Sequence, residues 1–258
     1  PLPMDADTTW VRQPRLRLTD KTDIAVTCLC STGTIRAMAR KDTADVALTG
    51  NPLATAVEGY AQFTNLGLAL AGHSLRLAFE FVPYGAGDAV TGLSFAFEVS
   101  AGRPASLEVV TQMDAHWRGV PPGQQPVLGL LDRHGNRIFN MTGSVSVSIA
   151  KAQELIGTLK GTPIAAYQEG ATAVFTDLAI TPLVQDYDDF KLVFNSLGLT
   201  VTSAPIKIVS GPLYSIALET PVIGSVGNLN GGLLFPRVTV VALDSGGGVV
   251  YGFDGNGC

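Results

Sequence analysis

The chain has 258 residues, of which 46% are hydrophobic and 15% charged, and a net charge of −5. That length allows one large domain or two ordinary ones, each able to bury a core of its own. The acidic balance argues against nucleic acid as a partner, and the most apolar stretch, Leu66 to Val82, carries His73, Arg76 and Glu80, which excludes a membrane span there.

In chain order, Pro14-Arg-Leu-Arg-Leu-Thr-Asp20 is the first pattern that returns. It reappears as Pro126-Val-Leu-Gly-Leu-Leu-Asp132, and again as Pro236 with Asp244 at the end of Arg-Val-Thr-Val-Val-Ala-Leu. Thr32-Gly-Thr-Ile returns as Thr142-Gly-Ser-Val. Leu48-x-Gly50-x-Pro52, with Glu58-Gly59 and Phe63-Thr-Asn-Leu66, returns as Leu159-x-Gly161-x-Pro163, with Glu169-Gly170 and Phe175-Thr-Asp-Leu178. A unit of about 110 residues therefore repeats in tandem. Helical periodicity is confined to Lys151–Ile156, enough for a turn or two. Two-residue alternation covers the rest: Leu75, Leu77, Phe79 and Phe81; Phe95, Phe97 and Val99; Val145, Val147 and Ile149; Ile206 and Ile208. Such alternation puts apolar side chains on one face of a strand, and sheets with one dry face stack into sandwiches. The 29 Gly and 15 Pro suit frequent turns. Leu107-Glu-Val109 and Ile216-Ala-Leu218 open their copies after Gly102 and Gly211. The expected modules are thus 1–101, incomplete at its start; 102–210, complete; and 211–258, the start of a third. A repeat array needs partners or caps at its ends, so the natural protein is expected to continue beyond both. Short linkers predict an extended, stiff rod.

The order of these elements carries a resemblance. An opening strand leads to a strand ending in Asp132-Arg-His-Gly135-Asn136. Gly143-Ser-Val-Ser-Val-Ser, Glu169-Gly170 with Phe175 and Leu178, Phe190-Lys-Leu-Val-Phe194 and Ile206-Lys-Ile208 follow. This resembles the immunoglobulin-like repeats of very large extracellular surface proteins, of the invasin and filamin type. Repeats of mastigoneme-like proteins, which build the hairs on algal flagella, read similarly, and the Ala- and Gly-rich composition tilts toward them. The resemblance covers one whole module and parts of its neighbours. It implies an all-β fold of tandem immunoglobulin-like β-sandwiches. It also implies an extracellular or cell-surface location, the flagellar surface included. The partners would be neighbouring modules, other copies or filament proteins, and glycans. The first copy departs from the pattern with Asp20-Lys-Thr-Asp23, the third with Asp244-Ser-Gly-Gly-Gly248.

The chemistry-bearing residues divide as follows. The repeated Asp20, Asp132 and Asp244 read as turn residues that accept backbone N–H bonds, with calcium at module junctions as the alternative. Asp186-Tyr-Asp188-Asp189 reads as a solvated loop before the Phe190 strand. His73, His116 and His134 share no zinc spacing and read as surface or turn residues. Asn140-Met-Thr142 is the sole N-glycosylation sequon, so Asn140 is the glycosylation candidate. Cys28 and Cys30 flank Leu29 and would strain the backbone if joined to each other. Together with Cys258 they are candidates for disulfides to segments outside the chain, or else free thiols. Phe63 and Phe175 read as core. Trp10 and Trp117 fall in loop-like stretches, and Arg118 beside Trp117 fits either an interface anchor or local packing. No nucleophile elbow, P-loop, dinucleotide fingerprint or zincin motif occurs, so no catalytic residue, metal or cofactor is expected. The leading expectation is a structural repeat of a long surface filament. An adhesion or carbohydrate-binding rod is the alternative.

Overall fold

The alternation written along the chain produces strands. The structure, a computed structural model, describes residues 4–6, 8–10, 12–27, 31–84, 88–183, 187–218 and 240–250. Its described residues form strands joined by turns, with a short 3-10 turn at Lys151–Gln153. They pack into two compact units, Pro1–Ser106 with Leu130–Phe139, and Leu107–Gly129 with Asn140–Cys258. The fold is all-β, in tandem immunoglobulin-like sandwiches.

The first unit contains, in chain order, β1 (Met4–Asp5), β2 (Arg15–Arg17), β3 (Gly33–Lys41), β4 (Ala44–Val46), β5 (Leu48–Thr49), β6 (Leu53–Ala56), β7 (Tyr60–Gln62), β8 (Gly67–Leu68), β9 (Gly72–Pro83), β10 (Val90–Leu93) and β11 (Phe97–Ser100). One layer centres on β9. It pairs antiparallel with β3 from Gly33↔Pro83 to Lys41↔Leu75. Its other edge takes β10 and β11, and β1 runs parallel to β11. The facing layer is two short ladders, β2 with β7 and β5 with β8. Between the layers lie Ile35, Ala37, Leu75, Leu77 and Phe79 from one side and Ala61, Phe63, Leu66 and Leu68 from the other. Along β9 Leu75, Leu77, Phe79 and Phe81 are buried and Arg76 is exposed, but Ala78 between them is buried as well and Glu80 is half-buried, so the alternation holds only in part. At Phe95 it fails. Ser94 Oγ accepts the N–H of Leu77 at 2.9 Å and donates to the Phe95 carbonyl at 2.7 Å. A side chain thus takes a place in the ladder between β10 and β11, and Phe95 is left 93% exposed; the register of β11 shifts further on, between Phe97 and Val99.

The remaining strands are β12 (Pro104–Thr111), β13 (His116–Trp117), β14 (Val127–Asp132), β15 (Ser144–Ile149), β16 (Gly157–Lys160), β17 (Ile164–Ala166), β18 (Ala173–Val174), β19 (Ala179–Pro182), β20 (Tyr187–Phe190), β21 (Leu192–Ser196), β22 (Leu199–Thr202), β23 (Ile206–Val209), β24 (Leu213–Leu218) and β25 (Val240–Asp244). One layer runs β12-β14-β18, and β16 pairs with β19. The other holds β17-β15-β21-β22 and β13-β23-β20. These pairings are those of an immunoglobulin-like sandwich, an ABED sheet facing a CFG sheet. Val145, Val147 and Ile149 are buried and the serines between them exposed. The acidic run before Phe190 departs from its expected loop: β20 begins at Tyr187, and exposed Asp189 pairs with Lys191 at 3.1 Å. Asp186 lies outside the described residues.

The duplicated phenylalanines occupy matching surroundings. Phe63 and Phe175 are each 2% exposed. Phe63 donates its N–H to Pro14 and packs on Phe79 at 5.8 Å. Phe175 donates to Pro126 and packs on Phe194 at 5.7 Å. The duplicated Gln-Pro of 13–14 and 125–126, which the motif reading passed over, is equally matched. The Gln13 amide bonds both the N–H and the C=O of Leu66, and Gln125 does the same to Leu178. Glutamine directly before the repeated proline, at the same 112-residue spacing, was its available signal.

Candidate functional site

Three aspartates close three copies of one turn. The carbonyl of Asp20, Asp132 or Asp244 accepts the N–H three residues on, and its own N–H donates to the carbonyl four residues on. One carboxylate oxygen accepts the N–H groups two and four residues on: Thr22 and Ile24, His134 and Asn136, Gly246 and Gly248. The third residue past the aspartate has positive φ, 81° at Gly135, 80° at Gly247 and 62° at Asp23. The first copy's departure is therefore tolerated, since aspartate is among the few side chains that visit the left-handed region.

The second carboxylate oxygen reaches out of the turn. Asp132 Oδ2 accepts the N–H of Gly102 at 2.9 Å, and Asp244 Oδ2 accepts that of Gly211 at 3.1 Å. Both glycines lie in three-residue stretches between strands, residues 101–103 between β11 and β12 and residues 210–212 between β23 and β24. Asn136 adds to the first staple. Its Nδ2 donates to the Ala69 carbonyl and to Asp132, and its Oδ1 accepts the N–H of Ala71. The third copy uses Arg118 instead, whose Nε sits 3.9 Å from Asp244 Oδ2 with both side chains buried. A side chain on Gly248 would meet the Arg118 guanidinium, so the glycine run that replaces the Gly-Asn pattern makes room for this cation. Arg118 thus packs locally, while Trp117 beside it is half exposed. With N–H groups facing both oxygens of Asp132, the carboxylate presents its lone pairs to donors, which is turn chemistry rather than calcium ligation.

These contacts set a pH dependence. Burial, the largest single influence on Asp132, favours its neutral acid. The bonds from the Asn136 side chain and from the N–H groups of Gly102, Asn136 and His134 together outweigh it and hold the carboxyl below its ordinary value. His116, expected at the surface, is buried in β13. Its Nε2 accepts the N–H of Ile180 at 3.1 Å and its Nδ1 faces the Asp114 carbonyl at 3.2 Å. Burial lowers its pKa despite that carbonyl. Both folded-state values lie below the unfolded ones, so both contributions to stability are whole above the unfolded pKa and are lost as pH falls from there through the folded pKa. Urea unfolding should show a first loss below about pH 6.5, removed by His116→Gln, and a second below about pH 4.

The other candidates are dispersed. His73 pairs with Glu98 at 3.1 Å on the surface. Asn140 lies in an exposed bend before β15. Trp10, expected in an exposed loop, is buried and stands edge-on to Phe97 at 5.8 Å. Cys28, Cys30 and Cys258 lie outside the described residues.

The first unit also carries a groove of about 670 Å³. Its floor includes Ile35, Leu77, Phe79 and Phe81, its walls Leu16 and Leu18, and its rim Arg12, Arg15 and Arg17. The indole N–H of Trp10, at its end, is buried without a hydrogen-bond partner. The Phe63.N–Pro14.O and Leu18.N–Gly59.O bonds put Leu16 in a hydrogen-bonded pair with Ala61. The N–H and C=O of Arg15 and Arg17 then point to the opposite edge of β2, where no described strand pairs with them. No helix among the described residues is long and apolar enough to cross a membrane.

No family model matches the chain, and no curated protein does. Among solved structures it is similar to domains 4–9 of the surface layer protein SbsC, at 15% identity over 91% of this chain and 31% of that one, with a TM-score of 0.30. A β-glucuronidase of Parabacteroides merdae matches at 12% identity over 68% and 21%, with a TM-score of 0.27. The Escherichia coli adhesin FdeC matches at 16% identity over 90% and 68%, with a TM-score of 0.38. The chain spans less than a third of the first two. A surface protein, an enzyme and an adhesin stand side by side here, and at such scores none of them carries a functional assignment.

Proposed function

We propose that this chain is a run of structural repeat modules, 1–101, 102–210 and 211–258, from a long extracellular or cell-surface filament, where it supplies spacing and assembly interfaces. The observation that supports this reading is the reuse of one staple. Aspartates 112 residues apart each hold the N–H of a linker glycine, Gly102 and Gly211. Repeating one backbone tie in successive copies is what an array of alike modules would carry. Among the described residues, the charged side chains lining the groove of the first unit are Arg12, Arg15 and Arg17, which offer hydrogen-bond donors and no acceptor. Neighbouring modules and other copies are the proposed partners, with glycans on Asn140. The finer version, a flagellar hair of the mastigoneme type, is supported by the Ala- and Gly-rich composition.

Protease shaving of intact source cells tests the reading. Peptides of this chain should be released without lysis, and the peptide containing Asn140 should carry N-glycan mass. A chain protected until lysis would overturn the surface assignment. Phe95 supports the alternative of an adhesive or carbohydrate-binding rod, because an aromatic ring 93% exposed is a contact surface. A glycan-array hit abolished by Phe95→Ala would establish it.

A further inference from the structure

The first and second units differ on the outer side of one sheet. Along β3 the even-numbered residues face outward, because Ile35, Ala37 and Ala39 are buried between the layers. The register sets Arg36 opposite Glu80 and Met38 opposite Ala78, and β10 places Leu93 beside Ala78. The repeated Thr-Gly aligns Arg36 and Met38 with Ser146 and Ser148. The Ser94 bulge also has a twin. Ser203 accepts the N–H of Leu192 and donates to the Ala204 carbonyl, as Ser94 does for Leu77 and Phe95. Ala78, Glu80 and Leu93 therefore match Val193, Asn195 and Thr202, and the second unit pairs these in the same register. Ser146, Ser148, Asn195 and Thr202 are exposed in the copy that has chain on both sides of it, so the repeat itself leaves this side of the sheet open. The second unit fills it with small polar groups around Val193. The first unit puts an apolar centre there, Met38, Ala78 and Leu93, beside two opposite charges. Around that centre Leu53 is 50%, Val82 49% and Leu93 66% exposed.

We propose that across this face the first unit pairs with the first unit of a second copy, about a two-fold axis running along the strands midway between β3 and β9. The charges select that occupant. Arg36 and Glu80 form no ion pair among the described residues. Rotation about this axis exchanges the places of β3 and β9. Each Arg36 then meets Glu80 of the second copy, and each Glu80 meets its Arg36. Face-to-face sheets lie about 10 Å apart, a gap that an arginine and a glutamate span together. In the next row the long Met38 lies against the short Ala78, twice over. One row further on, Arg40 comes to face Arg76. Asp45, bonded to Arg40 at 3.2 Å on the side away from β9, stands beside both and offsets the second cation. Arg76 already leans to the matching side, donating to the Ser94 carbonyl at 3.3 Å. The contact uses one patch on both copies, so it closes as a dimer and does not propagate. It deepens one part of the structural-module reading, that other copies are partners, and is independent of the cell-surface location.

The test is sedimentation velocity of the full chain over a wide concentration range, with charge swaps. The unaltered chain should reach a dimer as concentration rises and stop there. Arg36→Glu alone and Glu80→Arg alone set like charges against each other across the axis, and each should stay monomeric. Their equimolar mixture should form a one-to-one dimer, because the acids of one variant meet the bases of the other. The double variant should dimerise by itself, for the same reason. A merely structural role for either residue gives no such rescue. Met38→Ser installs the residue that the second unit carries at this place, so it should keep the fold and raise the dimer dissociation constant roughly tenfold or more. An unaltered chain that stays monomeric, which would leave the face to another kind of partner, overturns the proposal without touching the cell-surface assignment, which protease shaving decides. Growth beyond dimers, single swaps that dimerise like the unaltered chain, or a mixture that stays monomeric would equally overturn it. Should a single swap fail to fold by circular dichroism, the double variant and Met38→Ser decide. A double variant that dimerises together with a weakened Met38→Ser dimer supports the proposal, and failure of either overturns it.

Discussion

Replacing Asp132 by alanine should destabilise the first unit by on the order of 3 kcal/mol, since each buried N–H left without a partner costs about 1–3 kcal/mol. Three backbone donors, those of Gly102, His134 and Asn136, lose their acceptor at once, along with the Asn136 amide. The sum is held down because His134 lies at an exposed position where water replaces the carboxylate. Asp20→Ala provides the comparison. It removes the same backbone bonds within the turn, with one from the Thr22 hydroxyl, from an exposed turn that holds no linker N–H among the described residues, so its effect should be clearly smaller. Asp132→Asn keeps the shape while turning an amide toward donors, and should fall between. Urea midpoints rank the three variants, and hydrogen exchange at the Gly102 amide locates the loss. Equal midpoints for Asp132→Ala and Asp20→Ala would mean that the second carboxylate oxygen contributes nothing.

Gly161→Ala should be the most damaging single methyl in the second unit. Gly161 has φ of +95°, a conformation that costs a side-chain-bearing residue about 1–3 kcal/mol. Its new Cβ would also run into the Asp177 carbonyl, which is backbone and cannot step aside. The same turn exists at Gly50, where a Cβ would meet the Asn65 carbonyl. In both, the residue following Phe-Thr caps the turn: Asn65 Oδ1 accepts the N–H of Asn51, and Asp177 Oδ1 accepts that of Thr162, each at 2.9 Å. This explains why Leu-x-Gly-x-Pro travels with Phe-Thr-Asx-Leu across 111 residues. Gly170→Ala separates strain from collision, because Gly170 also has positive φ but open space around it. Loss of stability at Gly161 well beyond that at Gly170, read from thermal unfolding of the second unit, is the expected result. Equal losses would assign the whole effect to backbone strain.

These two sites show what kind of information the repeats carry. Phe63 and Phe175 are legible as core because an apolar residue kept at equivalent positions has few other uses, and their paired rings bear this out. The aspartates are legible as turn residues from Gly135 and Gly247 behind them. Their second role was not. Nothing local to Asp132 marks Gly102, 30 residues earlier, as the partner of its free oxygen. His116 and Trp10 were read as loop residues because each stands outside an alternating run. Their burial comes from β23 and Phe97 closing over them, contacts distant in the chain.

The groove lies furthest from the sequence. Pro14-Arg-Leu-Arg-Leu-Thr-Asp20 looks like its two relatives, and only pairing shows that, among the described strands, β2 takes β7, β25 takes β24 and β14 takes both β12 and β18. Period-two alternation, turn residues and a 110-residue repeat determine the all-β class and the succession of alike sandwiches, because they act through neighbours in the chain. Which oxygen holds which linker, which histidine is sealed from water and which strands flank each aspartate-bearing strand were decided by tertiary structure alone, because those facts depend on what folds back against each strand from far away.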